Sequence, residues 1–241
     1  MDYFYSPPHN ILGTTFIIEG EEFSHLVHVM RKKEGDEIRI VDGEGNAFDA
    51  RIEAIKKKTA HGTIVRTYIK HNEPPVGVTL AVGVLKNPSK FDFLVEKVTE
   101  LGVRRIIPLL SERTIPSHAK VDRWQKLALA AMKQSGRSYL PRIGELTRLE
   151  DIFVHEKQFD LKMIAHEKAE SAQMFPRTIV RDAKSVLVIV GPEGGFSDGE
   201  VAQCMENQFH PVYFGARRLR TETAAIVAAT LALICPIEDP E

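Results

Sequence analysis

The fold is decided by the stretch Val186–Leu187–Val188–Ile189–Val190–Gly191–Pro192–Glu193–Gly194–Gly195–Phe196–Ser197. Its first residues have the apolar, β-branched character of a fully buried strand, and that strand stops in a glycine-rich turn. Ser197 and Glu200 have the spacing of a capping box, so we expect a helix to begin directly after the turn. A strand end followed by a helix start is typical of ligand sites in α/β proteins, because free backbone N–H groups point into a crevice there. This stretch alone is equally consistent with a sharp connector that binds nothing.

The length and composition are those of a globular protein with one large or two modest domains, since the chain has 241 residues and is 27% charged. No apolar window has the length of a membrane span, and residues 1–5 do not resemble a signal peptide, so we expect a cytoplasmic protein. The two cysteines, Cys204 and Cys235, exclude a disulfide framework and a cysteine-rich zinc site. His25 and His28 have no further ligand at metal-binding spacing, so we expect no metal.

The amino-terminal part has the pattern of a small antiparallel barrel or sheet. Glu37–Val41, Phe48–Ile55 and Thr63–Ile69 have the length and residue types of strands, and a hairpin loop separates the first two. Glu21–Lys33 before them has the spacing of an amphipathic helix. The prolines within His71–Gly77 predict a linker, so we expect one domain at residues 1–72 and a second at residues 73–241.

After the linker, apolar strands alternate with amphipathic helices. This alternation predicts an α/β domain with a parallel sheet and helices on both of its faces. The predicted strands are Val78–Leu85, Arg104–Leu110, Leu161–Ala165, Val186–Val190 and Val212–Phe214. The predicted helices are Ser89–Leu101, Val121–Gln134, Leu149–His155, one that begins at Ser197, and Thr221–Cys235.

A second glycine-bearing turn, Phe214–Ala224, leads the last strand into the last helix. Thr221 is a plausible N-cap, and the helix after it is so apolar that it must be buried on nearly all sides. Three arginines, Arg217, Arg218 and Arg220, precede it. The formal net charge of −1 argues mildly against a nucleic-acid partner, yet these arginines leave a polyanion partner open, as they do a solvated loop.

Several common catalytic patterns are absent from the sequence. There is no Gly-x-Gly-x-x-Gly dinucleotide fingerprint and no Gly-x-x-x-x-Gly-Lys-Ser/Thr phosphate loop. There is also no Gly-x-Ser-x-Gly nucleophile turn. Dinucleotide-dependent hydride transfer, nucleotide hydrolysis and serine hydrolysis are therefore not expected.

Three motifs together resemble the RsmE-type 16S rRNA (uracil-N3)-methyltransferases of the SPOUT superfamily. They are Gly191–Ser197, Leu219–Ala224 and Gln134–Arg137, and they occur in the order that the family has. Supporting matches are Lys97–Val103, and His28–Arg31 followed by Gly35–Asp36. The chain departs from the family at Met30, where leucine is expected, and at Ala216–Arg217, where the turn is usually less basic.

The resemblance implies a homodimer that binds S-adenosylmethionine in a carboxy-terminal trefoil knot, after a PUA-like β-barrel that binds RNA. Three turns would hold the cofactor: the end of the strand Arg104–Leu110, and the turns Gly191–Gly195 and Leu219–Thr223. Glycines suit such turns because a Cβ would block the close approach of the adenosine to the backbone. The implied cofactor-binding residues are Leu110, Gly191, Pro192, Glu193, Gly194, Gly195, Leu219, Thr221, Glu222 and Thr223.

The resemblance also implies the reaction, which is methyl transfer to N3 of a uridine in the 16S rRNA of the small ribosomal subunit. We expect Arg220 to stabilise the developing uracil anion. We expect Arg137 to hold rRNA phosphate or to complete the site from the other subunit. Arg31, Lys32, Arg217 and Arg218 would bind RNA. The uracil N3 proton must leave, but no histidine or carboxylate identifies itself as the general base.

Three other functions stay open at this point. A related SPOUT enzyme would methylate a ribose 2′-OH or another base with the same cofactor. A non-catalytic RNA-binding or ribosome-assembly protein would bind no S-adenosylmethionine. A small-molecule enzyme with an accessory barrel would have no salt-dependent affinity for RNA.

Overall fold

The structure is a computed structural model, and it describes residues 2–155, 158–166, 173–174 and 182–234. The chain divides into two compact units. The first unit comprises Met1–Glu73 and Leu129–Leu140, and the second comprises Pro74–Ala128 and Pro141–Glu241. Within the described ranges, every helix is too short or too polar to cross a membrane.

Within the described residues, the first unit is built on a mostly antiparallel sheet of six strands. Its strands are, in chain order, β1 (Tyr3–Tyr5), β2 (Ile11–Leu12), β3 (Thr15–Glu19), β4 (Glu37–Val41), β5 (Asn46–Ile55) and β6 (Thr59–Ile69). They lie in the order β1-β4-β5-β6-β3-β2, and only the pair β1 and β4 is parallel among these neighbours. Helix α1 (Gly20–Ser24) and a π-helical turn (His25–Val29) follow β3. Buried Phe4, Phe16, Leu26, Ile38 and Ile40 form the core of this unit.

The predicted hairpin between the first two long strands is confirmed. The Asp42 carboxylate accepts hydrogen bonds from the backbone nitrogens of Glu44, at 2.8 Å, and Asn46, at 3.0 Å. The amide nitrogen of the Asn46 side chain also donates to it, at 2.6 Å. A side chain that satisfies the turn's own backbone fixes the register of β4 against β5.

The predicted helix Glu21–Lys33 is wrong at its carboxyl end. After α1 the backbone widens into the π-helical turn, in which the nitrogen of Met30 donates to the oxygen of His25 at 2.9 Å. Arg31 then adopts a positive φ of 53°, which ends the helical path. Arg31 and Lys32 therefore follow the helix, and Lys32 forms an ion pair with Asp2 at 3.1 Å.

The segment Leu129–Leu140 belongs to the first unit, unlike in the predicted division at residues 72 and 73. One reason is apolar packing, because Met132 is fully buried against Val41 and Ala47. The other reason is a buried ion pair between Arg137 and Glu73, whose side chains are 3% and 1% exposed. Contacts between residues so distant in sequence leave no local pattern that predicts them.

The Glu73 carboxylate organises the end of this segment. Arg137 donates to it from Nη2 at 2.7 Å and from Nε at 3.3 Å. The backbone nitrogens of Ser138 and Tyr139 donate to its Oε1 at 3.0 and 2.8 Å. These donors satisfy the buried carboxylate, and Arg137 supplies the opposite charge, so each charge of the pair depends on the other.

The second unit is the expected α/β domain. Its strands are β7 (Gly77–Gly83), β8 (Arg105–Leu110), β9 (Arg142–Ile143), β10 (Thr147–Arg148), β11 (Leu161–Ala165), β12 (Gln173–Met174), β13 (Ser185–Val190) and β14 (His210–Tyr213). Its helices in the described ranges are α2 (Pro88–Leu101), α3 (Val121–Gln134, which continues into the first unit), α4 (Leu149–His155), α5 (Asp198–Glu206) and α6 (Thr221–Ile234). The strands are all parallel, in the order β10-β8-β7-β13-β11-β14-β12, with β9 also paired to β8.

Strand β13 is the centre of this sheet, because its apolar side chains are covered on both faces. Val186, Leu187, Val188 and Ile189 are fully buried. Val190 at its carboxyl end pairs with Val82 of β7 on one side and with Ala165 of β11 on the other. A strand without polar side chains suits this position, as a parallel sheet covered on both faces requires.

The helix ends lie close to the predicted ones. Helix α2 begins after Asn87, whose Oδ1 accepts from the nitrogen of Ser89 at 3.0 Å, so Asn87 is the N-cap and the helix starts one residue before the predicted Ser89. It ends at the predicted Leu101, and Gly102 is its C-cap. The last predicted helix, Thr221–Cys235, is found as α6, and Cys235 lies outside the described residues.

We predict that Arg137→Met destabilises the protein by about 3–5 kcal/mol, because it leaves the Glu73 carboxylate buried without its cation. Urea unfolding followed by circular dichroism measures the change. The matched control is Arg51→Met in the same unit, since Arg51 pairs with Glu37 where both side chains are more than half exposed. That substitution should cost less than about 1 kcal/mol. Equal effects of the two substitutions would show that the buried pair contributes nothing special.

Candidate functional site

A cavity of about 940 Å³ lies in the second unit at the carboxyl ends of β11, β13 and β14. Carboxyl ends of parallel strands meet at one edge of the sheet, which is where open α/β sheets bind ligands. Most of its wall comes from four short segments and one further residue, namely Ala165–His166, Val190–Phe196, Val212–Gly215, Arg217–Glu222 and Ala224. The two glycine-bearing turns that stand out in the sequence therefore line one cavity.

The turn Gly191–Gly195 is held in a tight bend. The nitrogen of Gly195 donates to the oxygen of Pro192 at 2.8 Å, and Gly195 has a φ of +67°, which side chains rarely allow. Gly83, at the end of β7, packs directly against this turn. A Cβ on Gly83 would collide with Pro192, lying 2.7 Å from its Cδ. The bend therefore depends on glycine at two places, at Gly195 within the turn and at Gly83 at the end of the neighbouring strand β7.

The segment after β8 holds the same turn from outside through the Arg113 side chain and the backbone nitrogen of Glu112. Arg113 Nη1 donates to the carbonyl oxygens of Gly194, at 2.9 Å, and Phe196, at 3.2 Å. The predicted capping box of α5 is confirmed, since Ser197 Oγ accepts from Glu200 N and Glu200 Oε2 accepts from Ser197 N. Glu200 Oε1 also accepts from the nitrogen of Glu112 at 2.8 Å. The cap thus fixes both the helix start and the neighbouring loop.

The second turn brings its arginines to the cavity. Arg217, Arg218 and Arg220 are exposed and line it. The oxygen of Arg220 accepts from the nitrogen of Ala224 at 2.8 Å, the first bond of α6, so Arg220 occupies the N-cap position where Thr221 was predicted. Within the part of the chain that the structure describes, the Arg220 guanidinium has no ion-pair or hydrogen-bond partner.

Glu222 is a buried carboxylate in the first turn of α6. It is 9% exposed, and its Oε1 forms an ion pair with Lys90 Nζ at 3.2 Å. Its Oε2 is buried and has no hydrogen-bond partner among the described residues. Lys90 comes from the first turn of α2 and lines the same cavity. A desolvated carboxylate oxygen without a donor is costly, so the position of Glu222 at the cavity calls for a physical reason.

The electrostatic character of the cavity is positive. Among the described residues that line it, five carry a Lys or Arg charge, namely Lys90, Arg113, Arg217, Arg218 and Arg220. Three are carboxylates, namely Glu193, Asp198 and Glu222. The excess of cations favours a ligand or substrate with negative charge, such as a nucleic-acid backbone.

The structure brings most of the predicted site residues together at this cavity. Those that line it are Gly191, Pro192, Glu193, Gly194, Gly195, Arg217, Arg218, Leu219, Arg220, Thr221 and Glu222. Leu110 and Thr223 are not among the lining residues. Arg31, Lys32 and Arg137 belong to the first unit.

Sequence reasoning missed Lys90, Arg113 and His166, which also line the cavity. Arg113 lies three residues after Leu110, at a strand end that the resemblance had assigned to the cofactor. Lys90 stands in the first turn of the helix after β7, which is also a position where α/β proteins bind ligands. Both residues thus follow strand ends, which the sequence already indicates. They could be placed at this cavity only because the structure shows that β7 lies beside β13.

Neither metal chemistry nor a reactive thiol is indicated in the described ranges. They contain no group of three or more His, Cys, Asp or Glu side chains that could hold an ion. Cys204 lies in the core of the second unit on α5. Burial, with a smaller effect of the nearby Glu200 charge, raises the pKa of its thiol to about 12, so Cys204 is not a nucleophile at neutral pH.

Comparison with known proteins gives consistent matches over the chain. Residues 72–233 match the RNA methyltransferase domain family, and residues 18–65 match the RNA methyltransferase PUA domain family. Ribosomal RNA small subunit methyltransferase E of Bacillus subtilis is 30% identical over 225 residues, which cover 89% of this chain and 88% of that protein. The protein of the same name from Synechocystis is 32% identical over 227 residues, covering 92% and 73%.

A solved structure is similar over both units. It is a crystal structure of a ribosomal RNA small subunit methyltransferase E from Neisseria gonorrhoeae bound to S-adenosyl methionine. It is 31% identical in sequence, has a TM-score of 0.83, and the match covers 95% of each chain.

We predict that Gly83→Ala destabilises the protein by about 1–3 kcal/mol, because the added methyl group overpacks the contact with Pro192. The control is Gly199→Ala in the first turn of α5, where the nearest atom to an added Cβ is Ser197 Oγ at 3.9 Å. Alanine suits a helix better than glycine, so this variant should be at least as stable as the parent. Thermal unfolding of both variants tests the contact, and an unchanged stability of Gly83→Ala would contradict it.

Proposed function

We propose that this chain, which belongs to the ribosomal RNA small subunit methyltransferase E family, transfers a methyl group from S-adenosylmethionine to N3 of a uridine in 16S rRNA. The observation that carries the proposal is the meeting of two motifs at one cavity. The glycine turn Gly191–Gly195 and the arginine turn Arg217–Glu222 are distant in sequence and line the same space. The glycine turn lets a ligand approach its backbone closely, and the arginine turn supplies positive charge for an anionic substrate.

S-adenosylmethionine is the cofactor, and when bound it supplies a methyl group on a sulfonium that a nucleophile can displace. The described residues fit it in two respects. The cavity is large enough for a ligand of this size together with a base. At Gly195 no heavy atom lies within 4 Å of the place that a Cβ would take, so a ligand can approach the backbone closely there.

We assign the residues of the glycine turn and the start of α6 to the cofactor. They are Gly191, Pro192, Glu193, Gly194, Gly195, Leu219 and Thr221, which line the cavity. Glu222 also lines the cavity but is left out of this set, because its carboxylate is already paired with Lys90. Leu110 and Thr223 stay part of the proposal as neighbours of these turns, and calorimetry of their alanine variants decides whether they contribute.

Arg220 is the residue that we assign to the chemistry. Its guanidinium is exposed at the cavity and has no partner within the described ranges, so it is free to donate to a substrate oxygen. Methylation at N3 removes the N3 proton and places negative charge on the uracil ring before the new bond is complete. A guanidinium beside the uracil oxygens stabilises that charge where it develops. Arg217 and Arg218, at the same turn, are assigned to rRNA phosphate.

The first unit supplies RNA contacts in this proposal, through Arg31 and Lys32, as its match to a PUA domain suggests. The role of Arg137 in phosphate binding or catalysis stays a prediction. In the structure its guanidinium is buried and donates to Glu73, so contact with phosphate requires Glu73 to release it. The structure offers a supporting role instead, in which Arg137 holds residues 138 and 139 in place through Glu73.

The assembly that we propose is a cytoplasmic homodimer with a trefoil knot. Support for the dimer comes from exposed apolar side chains on α2 and α6, namely Phe93, Leu101 and Ile234. The knot is proposed from the resemblance to the family, and the parallel strand order of the sheet is consistent with it. Analytical ultracentrifugation tests the dimer, since a monomer at micromolar concentration would exclude it.

We predict that Arg220→Ala lowers the rate of methyl transfer to small ribosomal subunits by about 100-fold to 1,000-fold, because one preformed donor to the developing anion is lost. Calorimetry with S-adenosylmethionine should give binding close to that of the parent protein, since cofactor contacts lie on other residues. The control is Arg148→Ala, an exposed arginine on β10 of the same unit.

The two measurements also separate the competing functions. A protein that only binds RNA would give no heat with S-adenosylmethionine, and a small-molecule enzyme would transfer no label to small subunits. Normal methyl transfer by Arg220→Ala would contradict the assignment of this arginine.

A further inference from the structure

The unpartnered oxygen of Glu222 is the one feature of the cavity that the proposed cofactor site does not explain. Glu222 is 9% exposed, and its Oε2 has neither a donor nor water access in the described part of the chain. Such an oxygen destabilises the empty site, since a buried acceptor has lost its hydrogen bonds to water and gained none in return. A cost of this kind is expected where a ligand supplies the missing donor.

The ion pair with Lys90 decides which kind of donor that is. Lys90 Nζ lies 3.2 Å from Oε1 and neutralises the carboxylate. A second cation, such as the ammonium of an amino acid, would therefore be repelled by Lys90. A neutral N–H group meets no such repulsion and still finds a free acceptor. The terminal torsion of glutamate is broad, so a small rotation presents to the cavity the oxygen that Lys90 does not hold.

The neighbours of Glu222 complete a pattern that matches one nucleobase. Lys90 and Arg220 are donors and Glu222 is an acceptor, and all three line the same cavity. The pairing edge of uracil presents an oxygen, the N3–H and a second oxygen, which are acceptor, donor and acceptor. Cytosine presents a lone pair at N3, which a carboxylate would repel. This set of three side chains is therefore complementary to uracil and opposed to cytosine.

We infer that Glu222 is the general base of the reaction, which receives the N3 proton of the target uridine while Lys90 and Arg220 donate to the two uracil oxygens. The inference rests on the proposed function and deepens it. The N3–H bond breaks and its proton moves to Glu222. The electron pair left on N3 forms the bond to the methyl carbon, and the electron pair of the carbon–sulfur bond stays on sulfur. The protonated Glu222 then returns its proton to water when the products leave.

The test is Glu222→Gln, which keeps the shape of the side chain and removes its basicity. Methyl transfer to uridine should fall by about 100-fold or more, whereas binding of S-adenosylmethionine by calorimetry should stay close to that of the parent protein. The control is Glu206→Gln, the same change at the exposed end of α5. It should leave methyl transfer unchanged.

The decisive readout is a substrate whose proton leaves more easily. Small subunits are reconstituted with 16S rRNA that carries 5-fluorouridine at the methylated position only, because fluorine makes the N3 proton more acidic. A missing base then matters less, so the ratio of the fluorouridine rate to the uridine rate should rise strongly in Glu222→Gln compared with the parent. A variant that is merely misfolded or misshapen would lose both rates equally.

The outcomes separate the inference from the function on which it rests. An unchanged rate ratio in Glu222→Gln, or a loss of cofactor binding instead of transfer, overturns the inference and leaves the function standing. Absence of N3-methyluridine with the parent protein refutes the proposed function itself. Should Glu222→Gln not fold, the same ratio is measured in Lys90→Gln, which loses one donor to the uracil anion. A raised ratio there supports the inference, and an unchanged ratio overturns it.

Discussion

The position of β13 at the centre of a parallel sheet is the constraint on which the rest of the second unit depends. Its side chains are buried on both faces, so the chain can leave the sheet only at the carboxyl end, where Val190 lies between Val82 and Ala165. The turn that follows has no room beside Gly83, and a capping box starts a helix at once. Strand pairing and glycine packing together place the glycine-rich turn Gly191–Gly195 at the edge of the sheet where α/β proteins bind ligands.

The two sides of the cavity differ in how firmly they are held, and this difference suits their proposed tasks. The glycine turn is fixed by Arg113 and by the Glu200 contact to residue 112, so its backbone is preformed. The arginine turn, which lines the same cavity, carries exposed arginine side chains. In the first turn of α6, Glu222 is held by Lys90 yet keeps one acceptor unsatisfied. A rigid side for the cofactor and an unsatisfied side for the substrate are what transfer between two bound molecules requires.

Local patterns predicted the fold well, and tertiary contacts account for what they missed. The all-apolar run before Gly191, the Ser197–Glu200 spacing and the Asp42 turn are each local, and each was found as expected. The early end of the helix near Arg31 was missed because a π-helical turn has no sequence period of its own. Lys90 and the Arg137–Glu73 pair were missed as well, because both depend on which distant residues become neighbours. Motifs in the sequence thus identified most of the cavity residues, but they did not predict the ion pair between Lys90 and Glu222.

The most direct test of the proposed function is to map the position of the transferred methyl group. The protein is incubated with methyl-labelled S-adenosylmethionine and small ribosomal subunits from a strain that lacks the modification, and the digested 16S rRNA is analysed by mass spectrometry. For the proposed N3-uridine methyltransferase, label is expected at a single position, as N3-methyluridine. Label on a ribose, on another base or at no position in the rRNA would contradict it.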